Sequence, residues 1–124
     1  MLSHQTAGAY DAGLTPEDLA ALRENLHEQR LFRREQLRQF AARSTSRAGD
    51  PPGRDGPGRA EVRAQLAASA RMVLTDVEAA LARMDAGTYG SCHLCRRPVE
   101  RERLLIVPQA RYCGRCQQVR EAAR

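Results

Sequence analysis

Apolar residues recur mostly at steps of three and four along two separate stretches of the chain, less regularly from Leu31 onward in the first. Those of the first stretch, residues 15–43, are Leu19, Leu22, Leu26, Leu31, Phe32, Leu37 and Phe40. Those of the second stretch, residues 59–85, are Val62, Leu66, Ala70, Val73, Val77, Leu81 and Met84. This period is typical of amphipathic helices with one narrow apolar face. The two helices predict an antiparallel coiled-coil hairpin about 40 Å long, with Met72 and Met84 among its core residues.

Helix boundary signals accompany both stretches. Thr15 is a favoured N-cap, Pro16 suits the first helical position, and acidic residues follow in the first turn. Residues 44–58 contain three prolines and four glycines, a composition that interrupts helices. The sequence therefore assigns residues 15–85 to the hairpin, with 44–58 as its tip loop.

Four cysteines near the C-terminus carry the most specific chemical signal. Cys92 and Cys95 form one pair, Cys113 and Cys116 form another, and 17 residues separate the pairs. This spacing is typical of two knuckles that bind one tetrahedral zinc. Because four thiolates fill all ligand positions, the zinc is expected to be structural, with His93 as an exposed non-ligand. Two disulfides or a redox-active pair are the alternatives.

The remaining segments are short. Residues 1–14 are small and polar and predict a flexible tail. Residues 86–124 form the finger module, with residues 104–107 as a strand or extended segment and 117–124 as a short helix. Three Tyr, two Phe and no Trp favour helix packing over a sheet sandwich. The predicted fold class is mainly α: a long antiparallel coiled-coil hairpin, a small four-cysteine zinc finger and a short C-terminal helix.

The charge of +5 is concentrated in the finger module, where eight Arg face three acids. Arg96 and Arg97 are expected to balance the zinc-thiolate charge and stay solvated. The chain lacks a run of about 18 apolar residues, which excludes a membrane span. It begins without a basic and apolar leader, so a cytoplasmic location is expected.

A recognisable pattern of residues leads into the cysteines and continues between them. Its members are Ala80-Leu81-Ala82-Arg83-Met84, Gly87-Thr88-Tyr89-Gly90, the four cysteines, Pro98, Arg103-Leu104, Pro108 and Ala110. The pattern resembles the DksA/TraR family of zinc-finger regulators of bacterial transcription. It covers the C-terminal third of the chain, and the predicted hairpin agrees with the family architecture.

The resemblance implies a protein that binds RNA polymerase and inserts its coiled-coil tip through the secondary channel, often together with the alarmone ppGpp, without reading DNA. The family's tip motif is Asp-x-x-Asp-x-Ala, which Asp55 and Ala60 match. Asp50 and Asp55 would be turn formers on residue type alone, but the resemblance makes Asp55 the expected tip acid. Asp50, Arg59 and Ala60 are further candidates for partner binding. Gly58 replaces the second acid, which counts against the usual promoter regulation and against joint action with ppGpp.

Other functions stay open. A pI of 9.6 suits a basic zinc-finger module that binds nucleic acid, although stacking aromatics and a recognition helix are missing. A family member degenerate at the tip could instead act as a protein-interaction adaptor. An enzyme is not predicted, because the histidines are scattered and no open metal site or phosphate-binding loop is present. The protein is expected to be a monomer.

Overall fold

Two long helices, α1 (Pro16–Ser46) and α2 (Gly56–Ala86), make up most of the molecule. The structure is a computed structural model that describes residues 12–46 and 56–123. Two short helices follow, α3 (Arg101–Ile106) and α4 (Gly114–Ala122). Within the described residues there is no strand, and Ser91 and Pro98 form an isolated antiparallel bridge. The predicted mainly α fold is confirmed.

The two long helices run antiparallel. Arg23 near the start of α1 pairs with Asp85 near the end of α2 at 2.9 Å, and Arg34 further along α1 pairs with Glu78 at 2.7 Å. The partner's number falls as the α1 number rises, as an antiparallel hairpin requires. Exposed ion pairs contribute at most about 1 kcal/mol each. These two contacts therefore show how α1 and α2 are aligned but add little to the stability of the hairpin.

The start of α1 is a reciprocal cap. The Thr15 hydroxyl accepts a hydrogen bond from the Asp18 N–H at 3.0 Å, and the Asp18 carboxylate accepts one from the Thr15 N–H at 3.0 Å. Pro16 follows at the first helical position, where it has no intrahelical donor to lose. The predicted helix start is confirmed.

The end of α2 is closed by a glycine cap. The Gly87 N–H donates to the Met84 carbonyl at 3.2 Å, and the Thr88 N–H donates to the Arg83 carbonyl at 2.9 Å. Gly87 adopts φ 78°, in the left-handed region that glycine tolerates without a Cβ penalty. These features define a Schellman motif, which turns the chain from α2 into the finger.

Both long helices extend into the segment predicted as the tip loop. Residues 44–46 still belong to α1, and residues 56–58 already belong to α2. Pro57 lies in the first turn of α2, where the missing N–H removes no helical hydrogen bond. The loop prediction is therefore wrong at both ends, and residues 47–55 lie outside the described part of the chain.

One hydrophobic core joins the base of the hairpin to the finger. Its buried members are Leu22 and Leu26 of α1, Val77, Ala80 and Leu81 of α2, and Tyr89, Cys92, Val99, Leu104 and Cys113 of the finger, together with Ala12 and Leu14. Full burial of a leucine or valine side chain contributes about 1.5–3 kcal/mol. The two predicted units are thus packed as one body at this end.

The apolar stripes are buried near the base and less completely covered further along the hairpin, where Ala70 is buried and Leu37 and Phe40 are half-buried. The exposed residues are Leu31, Phe32, Val62, Leu66 and Met72, the last with 68% of its surface accessible. The step from Leu26 to Leu31 breaks the three-and-four spacing, so Leu31 and Phe32 do not continue the buried face. The prediction that Met72 is a core residue is wrong, whereas Met84 packs partly buried against the core.

Two further predictions are corrected near the base. Residues 1–14 were expected to form a flexible tail, but Ala12 and Leu14 are buried in the core, Leu14 with 3% exposed; residues 1–11 are not described. Residues 104–106 belong to α3 rather than to a strand. A short helix satisfies its own backbone, whereas an unpaired strand would leave its donors and acceptors without partners. Leu104 alone of this run is fully buried, and Ile106 is 80% exposed.

Candidate metal centre

The four cysteines converge on one point. Cys92, Cys95, Cys113 and Cys116 place their sulfur atoms within 4.8 Å of one another. Cys92 and Cys113 are buried, Cys116 is half-buried and Cys95 is exposed. The sequence prediction that these four residues share a site is therefore met by the geometry, and His93 is not part of the cluster.

The first knuckle follows α2 directly. Gly90 takes φ 97°, which turns the chain before the first cysteine. The Arg97 carbonyl accepts a hydrogen bond from the Cys92 N–H at 2.8 Å, and the Cys92 carbonyl accepts one from the Arg96 N–H at 3.0 Å. These bonds close a tight turn that directs Cys92 and Cys95 to the same side.

The second knuckle is the start of α4. Cys113 is the N-cap of this helix, and its sulfur accepts a hydrogen bond from the Cys116 N–H at 3.5 Å. The Glu100 carboxylate accepts a further bond from the Gly114 N–H at 3.1 Å. The two knuckles are joined by the His93 N–H, which donates to the Arg111 carbonyl at 2.9 Å.

The thiols themselves are polarised by the surrounding backbone. Burial raises the pKa of the Cys92 thiol, but hydrogen bonds from the backbone of Cys95, Cys113 and Leu94 outweigh it and lower the pKa to about 6. Burial and the neighbouring thiols raise the pKa of Cys116 to about 12. Since a metal ligand must be a thiolate, metal binding displaces the Cys116 proton and couples affinity to pH.

The arrangement fits a tetrahedral zinc ion. Zinc–sulfur bonds of about 2.3 Å place the corners of a tetrahedron about 3.8 Å apart. The Cys95 and Cys113 sulfurs are 3.9 Å apart. Four thiolates complete the shell of zinc and leave no position for a substrate, so the ion is structural.

Long-range polar contacts hold this centre on the hairpin. Arg101 donates two hydrogen bonds to the Asp18 carboxylate, at 3.0 and 3.2 Å. Arg111 donates to the Asp76 carboxylate of α2 at 2.9 Å. The buried Tyr89 hydroxyl donates to the Pro108 carbonyl at 2.9 Å.

Sequence reasoning misses these contacts for a physical reason. Asp18 and Arg101 are 83 positions apart, and Asp76 and Arg111 are 35 apart. Nothing in the local pattern indicates that either carboxylate lies opposite an arginine of the finger. Tyr89 belongs to the residue pattern that leads into the first cysteine, but that pattern does not indicate its hydrogen bond to Pro108.

The candidate residues at the far end of the hairpin are only partly described. Arg59 is exposed and Ala60 is half-buried, both in the early part of α2. Asp50 and Asp55 lie outside the described residues, and Asp55 directly precedes α2 in the sequence. The structure therefore places two of the four candidates at the end of α2 opposite the cysteines.

Comparisons with known proteins address the finger and the fold. Residues 87–122 match the model of the prokaryotic dksA/traR C4-type zinc finger. An uncharacterized protein of Aquifex aeolicus (strain VF5) is 37% identical over 43 residues, which are 35% of this chain and 30% of that protein. The chain thus matches less than a third of the length of this curated relative.

A solved structure shares the fold along most of the chain. The structure of transcription factor DksA2 from Pseudomonas aeruginosa matches with a TM-score of 0.70 and 22% sequence identity, covering 84% of this chain and 83% of that one. At this identity the likeness concerns the fold, a helical hairpin with a cysteine finger at its base. The finger model and the cysteine geometry together support a structural zinc ion as the cofactor.

Proposed function

We propose that this chain, which belongs to the DksA/TraR family of zinc-finger proteins, binds RNA polymerase and regulates transcription. The finger match and the shared fold support this proposal. In it, the far end of the hairpin enters the secondary channel of the polymerase, and the finger serves as its base. The protein acts in the cytoplasm as a monomer, is not an enzyme and does not read DNA sequence.

The observation that carries the proposal is a long hairpin whose base is packed against the finger in one hydrophobic core. The shared core and the Asp18–Arg101 contact lie at the finger end. α2 has 31 residues, so its opposite end lies about 45 Å away at 1.5 Å per residue. Such an element can carry a few residues deep into a partner while the base stays outside.

The tip residues of the proposal are Asp55, Asp50, Arg59 and Ala60. Asp55 would place a carboxylate at the end of the hairpin, and the exposed Arg59 would contact an acidic or phosphate surface of the partner. Gly58 stands where the family motif has its second acid. Joint action with ppGpp is for that reason not part of the proposed function.

Binding to purified core RNA polymerase tests the proposal. We expect micromolar affinity for the wild-type protein and a changed lifetime of open complexes in transcription in vitro. Asp55→Ala should remove the effect on transcription, and replacement of residues 47–55 by a Gly/Ser segment of equal length should do the same, because both leave α1 and α2 intact. Glu61→Ala is the matched control, since it removes an exposed acid of α2 outside the motif.

Three results would count against it. Absence of polymerase binding at micromolar protein would reject the partner. Polymerase binding without any effect on transcription would instead favour an adaptor with a degenerate tip. Retention of DNA that weakens steeply with salt would favour the basic nucleic-acid-binding module.

A further inference from the structure

A cavity of about 370 Å³ lies between the end of α2 and the first cysteine knuckle. Its lining residues are Arg83, Thr88, Ser91, Cys92, His93 and Arg96. A volume of this size is within the range of small-ligand sites. We call this space the basic cavity.

The charges around the basic cavity are mostly positive. Arg83 and Arg96 line it, and none of the lining residues is acidic. His93 also lines it, and the His93 N–H donates to the carbonyl of a third arginine, Arg111, at 2.9 Å. The nearby Asp76 carboxylate accepts a hydrogen bond from Arg111. Within the described residues, neither Arg83 nor Arg96 forms an ion pair.

The zinc centre does not use these guanidinium groups as donors. Its four thiolates give it negative charge, and Cys92 adjoins the basic cavity. The thiolates, however, are hydrogen bonded by backbone N–H groups, as for the Cys113 sulfur with the Cys116 N–H. Arg83 donates to the Ala110 carbonyl at 3.4 Å, a long bond that leaves most of its donors unused.

Arg96 occupies a backbone position that disfavours it. Its φ is 65°, and it is the residue with positive φ that is not glycine in the described part of the chain. Glycine or asparagine is the usual solution at such a position, because a Cβ is strained there. The hydrogen bonds of the first knuckle impose this φ on the residue at position 96, and because that residue is an arginine, a guanidinium lies at the edge of the basic cavity.

We propose that the basic cavity binds a compact phosphate anion. Arg83 and Arg96 would pair with its oxygens, and the hydroxyls of Thr88 and Ser91 would donate additional hydrogen bonds. The planar guanidinium matches phosphate oxygens in a two-bond geometry. Inorganic phosphate, pyrophosphate and the terminal phosphates of a nucleotide share this chemistry.

Calorimetric titration of the full-length, zinc-loaded protein with pyrophosphate tests the site. Saturable binding with one site per chain is expected, with amide NMR shifts confined to residues near 88–96. Arg96→Gly should weaken pyrophosphate binding about tenfold or more, as expected for a lost charged hydrogen-bond pair. It should not lower the melting temperature or the zinc content, because it removes backbone strain at the same time.

Arg97→Ala is the matched control, since it removes one neighbouring Arg that does not line the basic cavity. Arg96→Asn, which also tolerates positive φ, gives a second variant with the same expectation as Arg96→Gly. Parallel titrations with inorganic phosphate and a nucleoside diphosphate identify the source, because added affinity from the nucleoside would assign the ligand as a nucleotide.

Three results would overturn the proposal. The first is no saturable binding at millimolar pyrophosphate. The second is that Arg96→Gly and Arg97→Ala weaken pyrophosphate binding equally, which would show that binding depends only on the net positive charge of the finger. The third is binding of a single-stranded oligonucleotide whose affinity rises with its length, which would assign the surface to a polymer.

Discussion

Tyr89 joins the hairpin to the finger through a single side chain. It is 2% exposed, it packs in the shared core, and its hydroxyl donates to the Pro108 carbonyl. Burial raises the pKa of Tyr89 to about 12, which keeps the hydroxyl protonated and able to donate at any ordinary pH. The residue therefore combines apolar packing with one satisfied hydrogen bond.

Tyr89→Phe should lower the free energy of unfolding by about 1–2 kcal/mol, because the Pro108 carbonyl loses its donor while the ring still fills the core. Urea unfolding followed by circular dichroism measures this change. Tyr112→Phe is the control: Tyr112 is half-buried, stacks under Arg120 and accepts through its backbone carbonyl. An equal loss of free energy of unfolding in both variants would show that the hydrogen bond of the Tyr89 hydroxyl does not stabilise the protein specifically.

Asp18 combines a helix cap with a long-range ion pair. The hydrogen bond from Arg101, and after it the bond with the Thr15 backbone, lowers the pKa of the Asp18 carboxyl. The folded protein therefore binds this proton less readily than the unfolded chain does. Its contribution to stability is complete above the ordinary aspartate pKa of about 3.9 and is lost as the pH falls through the lower folded-state pKa.

Asp18→Asn should thus be less stable than the wild type at neutral pH, and the difference should shrink below about pH 4. Urea unfolding of both proteins at a series of pH values measures the difference in their free energies of unfolding. Acid also removes zinc, but it does so from both proteins, so this effect cancels in the difference. Asp85→Asn, which breaks the exposed pair with Arg23, should cost less at neutral pH. A difference that stays constant on acidification would contradict the role of the Asp18 charge.

At the scale of the elements, α1 and α2 are stabilised unevenly along their lengths. Leu26 and Val77 are fully buried near the finger, whereas Leu31, Phe32 and Leu66 are exposed further out. Periodicity predicts both helices well, because helical phase is a local property. Periodicity does not predict which apolar residues of each helix are buried. Their burial depends on which side chains of the other helix lie opposite them.

Leu26→Ala should therefore lower the free energy of unfolding by about 2–5 kcal/mol through lost burial and a cavity. Leu66→Ala, with the original side chain 51% exposed, should cost about 0.5 kcal/mol or less. Chemical denaturation compares the two. Similar losses would show that the outer half of the hairpin is packed as tightly as its base.

At the scale of the whole molecule, the zinc site and the hairpin base share one core. Cys92 and Cys113 are buried members of the cluster that includes Leu26 and Leu81. A structural zinc site contributes roughly 10–16 kcal/mol in small finger peptides. Loss of the ion must therefore disturb the long helices as well as the finger.

Chelation, or Cys92→Ser, should unfold residues 87–122 and also increase hydrogen exchange at the base of α1 and α2. The loss of helical circular dichroism should exceed what the short α3 and α4 can account for. His93→Ala is the control, since it changes the same knuckle outside the thiol cluster and should keep the zinc. Helices α1 and α2 that stay fully protected after chelation would show that the hairpin is independent of the metal.

The sequence by itself determined the two long helices, their capped ends and the four-cysteine zinc site, because periodicity, capping and ligand spacing are all local along the chain. It also carried the DksA/TraR resemblance, which the finger match and the shared fold support. Only the tertiary structure decided that Ala12 and Leu14 are buried, that residues 104–106 are helical and that Met72 is exposed. Each of these features depends on which residues distant in the sequence pack against it, as Arg101 does against Asp18. A local sequence pattern contains no information about such distant contacts.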